Sequence, residues 1–79
     1  MQRISVDFNT MMQFDDGNRH VIIAQIDHPH DQDIHLREDE RLIVFDDEFQ
    51  VEAVAHRQGD FWIGEIDWST RKDVASPLP

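Results

Sequence analysis

Three of the five histidines and three aspartates fall within nine residues, Asp27-His28-Pro29-His30-Asp31-Gln32-Asp33-Ile34-His35. Imidazole with carboxylate is a donor set for zinc, nickel or copper, and His28, His30, His35 and Asp33 supply enough donors for one such ion. The same imidazoles beside Asp31 and Asp33 would titrate near neutral pH, which makes a proton-responsive loop the other chemical reading. The spacing speaks against the metal. Structural zinc loops draw ligands from two separated elements, whereas these all lie in one polar stretch whose ordering costs about 1–2 kcal/mol per residue. The His-x-His-x-Asp-His pattern of metallo-hydrolases is also missed, since Gln32 and Asp33 stand where it would need Asp and His. A hydrated connection carrying ordinary histidines is the plainer interpretation.

The other candidate chemistry is acidic. Asp46, Asp47 and Glu48 are consecutive at an expected hairpin tip, where neighbouring side chains point apart and lack the convergence that acid/base catalysis needs. They read as turn residues that form, with Glu52, an acidic rim suited to a basic protein surface. Trp62 and Trp68 share one face of an expected strand, either as aromatic anchors for a partner or as closers of a small core. The chain has no cysteine and only three glycines. Thiol chemistry is thereby excluded, and neither a Gly-rich phosphate loop nor a His-Glu-x-x-His helix occurs. No motif stands behind His20 or His56 as a catalytic base, so the expectation is a protein that is not an enzyme.

Charge narrows the partner further. Seventeen acids oppose seven bases, for a net charge of −10, and a field of that sign repels nucleic-acid phosphates. Between Asp27 and Glu52 ten acids face only Arg37 and Arg41. No apolar run approaches the roughly 20 residues of a membrane span, and the N-terminus carries no apolar signal core. Without cysteine the chain needs no oxidising compartment, so a cytoplasmic location is expected.

The elements that must position these groups are strands. Ile4, Val6, Phe8, then Thr10 and Met12 fall at every second position, with Arg3, Ser5, Asp7 and Asn9 between them, which predicts a strand. A turn at Asp15-Asp16-Gly17-Asn18 would join it to His20–Ile26 as an N-terminal hairpin. Residues 27–40 form a long polar connection, with a helical turn near Leu36–Glu40. Strands at Arg41–Phe45, Phe49–His56 and Phe61–Trp68, separated by turns at Asp46–Glu48 and Arg57–Asp60, then make a three-stranded meander. Residues 1–68 are one domain and 69–79 a partly disordered tail. A small five-stranded all-β barrel is the architecture that covers its own edges at this length.

Asp60-Phe61-Trp62-Ile63-Gly64 resembles the paired-aromatic strand of SH3-like barrels, and Leu42-Ile43-Val44-Phe45-Asp46 their apolar-aromatic-acidic segment; the similarity covers residues 41–68. Trp62 to Asp67-Trp68-Ser69-Thr70 also resembles the ending of short bacterial proteins with a Trp-x-x-x-Asp-Trp-Ser-Thr pattern, with one extra residue here. The resemblance implies a barrel fold. The family's ligand-contacting tryptophan would map onto Phe61, and the chain has no tyrosine, so a proline-peptide groove is not implied. The leading expectation is therefore an acidic module that binds a basic protein without a cofactor. The alternative is a regulator that responds to metal or protons through His28, His30 and His35, with zinc as the implied ion.

Overall fold

The computed structural model describes residues 1–31 and 33–73, His30 by its backbone alone. It is an all-β protein whose strands β1 (Arg3–Ser5), β2 (His20–Gln25), β3 (Arg41–Phe45), β4 (Phe49–Gln58) and β5 (Phe61–Asp73) form one mixed sheet. Short 3-10 helices lie at Phe8–Gln13 and Pro29–Asp31. Among the described residues, no helix is long and apolar enough to cross a membrane. The sheet order is β1-β3-β4-β5-β2, with β1 parallel to β3 and every other pair antiparallel. The sheet is open, with β1 and β2 at its two edges.

The meander β3-β4-β5 is as expected, and its turns show why. Asp46 Oδ1 accepts the amides of Glu48 and Phe49 at 2.8 and 3.1 Å, which closes the β3–β4 turn. Gly59 supplies a φ of +59° for the β4–β5 turn.

The N-terminal hairpin is corrected. Period two breaks at Asp7, whose side chain accepts the Asn9 amide at 2.9 Å and whose carbonyl accepts the Thr10 amide at 3.0 Å. An aspartate offering such local bonds starts a helical turn in place of a ladder. In a 3-10 helix residues three apart share a side. Phe8 and Met11 accordingly enter the core, while Met12, expected on the apolar face, is 80% exposed. The turn at Asp15–Asn18 does form, with positive φ at Asp15, Gly17 and Asn18, but it joins a 3-10 helix to β2. β1 instead pairs with β3, Ile4 opposite Val44, and β2 pairs with β5.

Leu42, Val44, Val51, Ala53, Ala55, Val21, Ile23 and Ile66 bury one face of the curled sheet, under Phe8 and Met11 of the 3-10 helix and Ile34 and Leu36 of the long connection. Gly64 permits the close approach of β2. A Cβ there would lie 3.1 Å from Ile23 Cδ1 and 3.2 Å from Ala53 Cβ. Thr10 Oγ1 accepts the Ile22 amide at 3.0 Å while donating to the Asp7 carbonyl, so the 3-10 helix is tied to edge strand β2.

Ser69–Asp73, expected to begin the tail, is the last part of β5. The β4–β5 register jumps from Glu52↔Asp67 to Gln50↔Lys72. The slack is taken up where Asp67 Oδ1 accepts the Ser69 amide and hydroxyl and Thr70 Oγ1 accepts the Glu52 amide. Disorder expected of residues 74–79 lies outside the described residues.

Candidate functional site

Strand alternation divides β4 in two. Phe49, Val51, Ala53 and Ala55 face the core, and Gln50, Glu52, Val54 and His56 face outward. Opposite the outward set stand Ile43 and Arg41 on β3, and Asp67, Glu65 and Ile63 on β5. Two polar clusters result. In the first, Arg41 Nη1 lies 2.9 Å from Glu52 Oε1 and 3.6 Å from Asp67 Oδ2. The Ser69 hydroxyl, its amide and the Arg41 guanidinium hold the Asp67 carboxyl below its ordinary value, against a smaller effect of desolvation.

The second cluster is centred on His56. Its Nδ1 lies 2.6 Å from Glu38 Oε2 and 3.5 Å from Asp39 Oδ1, and its Nε2 lies 3.2 Å from Glu65 Oε1. The turn that brings the two acids there is strapped to β4. The Asp39 amide donates to the Ala55 carbonyl at 2.7 Å, the Ala55 amide to the Glu40 carbonyl at 2.8 Å, and the Arg57 amide to Glu38 Oε1 at 2.8 Å. Asp39 takes a φ of +66° to make this fit, which aspartate tolerates better than most residues. Within the turn, the Glu40 amide donates to the Arg37 carbonyl and Glu40 Oε1 accepts the Arg37 amide. The Arg57 amide, then His56, hold the Glu38 carboxyl below its ordinary value. The bond to Glu38 raises the His56 imidazole above its ordinary value, against desolvation and with help from Glu65 and Asp39.

Together Glu38, Asp39, Glu52, Glu65 and Asp67 surround one guanidinium and one imidazole on the outer side of the sheet. The expected acidic rim is redistributed. Glu52 belongs to this face and is paired with Arg41, whereas Asp46 is spent on the turn and Asp47 and Glu48 are exposed at its tip. Trp62 packs partly buried against the core. Trp68 lies 5.7 Å from the Phe49 ring, which itself stacks on Phe8 at 4.4 Å, and its indole N–H donates to the Asn18 carbonyl at 2.9 Å. The Arg71 guanidinium covers Phe49 at 4.2 Å. Both tryptophans therefore have partners within the chain.

The histidine loop is a chain of short turns. The His28 amide bonds to Gln25, that of Asp31 to His28, and that of Ile34 to Asp31. Asp31 Oδ2 accepts the Gln25 amide at 2.9 Å. Asp33 and His35 are exposed, and the His35 carbonyl accepts Gln2 Nε2. The His30 side chain lies outside the described residues. Among the described residues, the metal-type donors that converge are Glu38, Asp39 and His56, all within 4.8 Å of one another, and not the loop set. The signal in the sequence was partial: alternation put His56 beside Glu52, but nothing local joined it to a turn 18 residues earlier. His20 has a similar partner, with Nδ1 2.6 Å from Asp16 Oδ2, and that bond holds Asp16 below its ordinary value. A further recess of about 390 Å³ is bordered by Phe14, Ile22, Phe61 and Ile63. No family model, curated protein or solved structure matches the chain.

Proposed function

We propose that the protein is a non-enzymatic interaction module that presents the acidic outer face of its sheet to a basic protein surface. The observation that carries this reading is the gathering, among the described residues, of Glu38, Asp39, Glu52, Glu65 and Asp67 around Arg41 and His56. The opposite face of the sheet is taken up by the core. Carboxylates on a rigid strand surface steer a cationic partner and set its register more than they add affinity. The long-range field of a chain with net charge −10 has the same sense. Asp47 and Glu48 extend the acidic surface at the β3–β4 tip. Kinship with SH3-like barrels, and with short bacterial proteins of that build, is part of the proposal, and the β3–β4–β5 meander supports it. The aromatic groove that binds proline peptides is not.

The test is a pull-down from host lysate with the tagged chain and with Glu52→Gln/Glu65→Gln/Asp67→Asn, at about 50 and about 500 mM salt, where screening lengths differ about threefold. A basic protein retained by the unaltered chain at low salt, lost at high salt and lost from the variant is the expected result. Equal retention by both proteins, or retention insensitive to salt, refutes the reading.

A further inference from the structure

We propose that Glu38, Asp39 and His56 form a binding site for a divalent cation of the zinc type, with Glu65 positioning the imidazole. The ligands come from two separated elements, the Arg37–Glu40 turn and β4, and the positioning carboxylate comes from a third, β5. That is the arrangement the histidine loop lacks. One imidazole nitrogen and two carboxylates leave a fourth position to water, a donor set that zinc accepts.

The distances suit such an ion. A tetrahedron with bonds of about 2.0–2.1 Å has edges of about 3.3 Å. His56 Nδ1 lies 2.6 Å from Glu38 Oε2 and 3.5 Å from Asp39 Oδ1, and the three donor atoms lie within 4.8 Å of one another. Closing the remaining gap needs only rotation of two carboxylates whose side chains are 53% and 77% exposed. The imidazole is held more firmly, at 28% exposure on β4 between the Arg37–Glu40 turn and β5.

The surroundings supply what a metal-bound imidazole needs. A ligating histidine usually donates its second N–H to a carboxylate, which fixes its tautomer and raises its basicity. Glu65 Oε1, 3.2 Å from Nε2, is placed to accept that proton. Glu38 can keep Oε1 on the Arg57 amide while Oε2 binds the ion. The cation would displace the proton now shared between Nδ1 and Oε2 into solvent, and the two carboxylates balance its charge. The same turn borders a recess of about 580 Å³ lined by Gln2 and residues 35–40, and the exposed Glu38 and Asp39 carboxylates leave the site accessible from solvent.

The experiment is calorimetric titration of zinc chloride into the chelator-stripped 79-residue chain near neutral pH, with circular dichroism of each zinc-free variant as the check of folding. One equivalent is expected to bind. Affinity should fall at least about tenfold in His56→Gln and in Asp39→Asn, and about tenfold in Glu65→Gln, the range found for orienting carboxylates. It should stay unchanged in His28→Ala/His30→Ala/His35→Ala. If His56→Gln misfolds, Asp39→Asn carries the test, because asparagine tolerates the positive φ of that position. Nitrogen NMR of the His56 ring should show the metal on Nδ1 and the proton on Nε2. No binding below millimolar zinc, binding indifferent to Asp39 and His56, or binding lost with the loop histidines overturns the proposal.

Discussion

Trp68 separates a core-closing role from a partner-anchoring role, and the cost of removing it follows from its surroundings. The residue is 36% exposed, so about two-thirds of a surface that reaches about 250 Å² for tryptophan is covered. At about 25 cal/mol per Å² this is worth about 4 kcal/mol, or nearer 3 once a compact unfolded chain is taken as reference. The indole N–H bond to the Asn18 carbonyl adds about 1 kcal/mol. Taking the compact-chain figure, Trp68→Ala should therefore lose about 4 kcal/mol. A chain of 79 residues holds only about 4–12 kcal/mol in total, which puts the variant at the edge of folding. Trp68→Phe keeps a ring against Phe49 but forfeits the hydrogen bond and part of the contact, so it should cost about 1–2 kcal/mol. The assay is urea unfolding followed by far-UV circular dichroism. With a slope of about 1–1.5 kcal/mol per M, the midpoint should fall by about 1 M in Trp68→Phe and by 2 M or more in Trp68→Ala. An unmoved midpoint in both variants, accompanied by loss of partner capture, would falsify the packing role against Phe49 and make Trp68 an anchor.

Two further outcomes follow from the same structure. His56 is raised above its ordinary value near 6.5 and Glu38 is lowered below its ordinary value near 4.5. The histidine's contribution to stability is fully present below about pH 6.5 and fades as pH rises through its folded-state value. Glu38's contribution is present above about pH 4.5 and fades as pH falls through its depressed folded-state value. In chelator, the melting temperature should decline from pH 6 toward pH 9, and His56→Gln should flatten that decline; an identical slope in both proteins contradicts the pairing. Thr10→Val leaves the Ile22 amide without its acceptor and should cost about 1–3 kcal/mol. Hydrogen exchange at Ile22 should quicken in that variant, and unchanged protection there means the 3-10 helix is not docked on β2 as described.

The features legible in the sequence are those with local causes. Alternation from Phe49 to His56 marks β4 because side chains of a strand point to opposite faces in turn. Asp46 and Gly59 mark the meander turns because each answers a need of the turn itself. The same kind of reading held from Ile4 to Val6 and failed from Phe8 to Met12, where a period of two and a period of three both place Phe8 inward. The bonds of Asp7 decided for the 3-10 helix. Those bonds are local too, but they prevail only with Thr10 docked on β2 and Phe8 stacked on Phe49.

Pairing partners are a different matter, since a strand's edge bonds to any strand of compatible twist and register. Which edges meet is settled by how the whole apolar surface is covered. Only the fold could place β1 beside β3 and β2 beside β5, because Ile4 and Val21 contribute to one core from opposite edges of the sheet. Composition and charge by themselves established a small acidic chain of strands without thiol chemistry, and alternation set out the two faces of β4. That Glu38, Asp39, His56 and Glu65 share one point on its outer face was decided by tertiary structure alone. A turn, a strand and a neighbouring strand, separated along the chain, come together only when the β4 ladder draws in Asp39 on one side and Glu65 on the other.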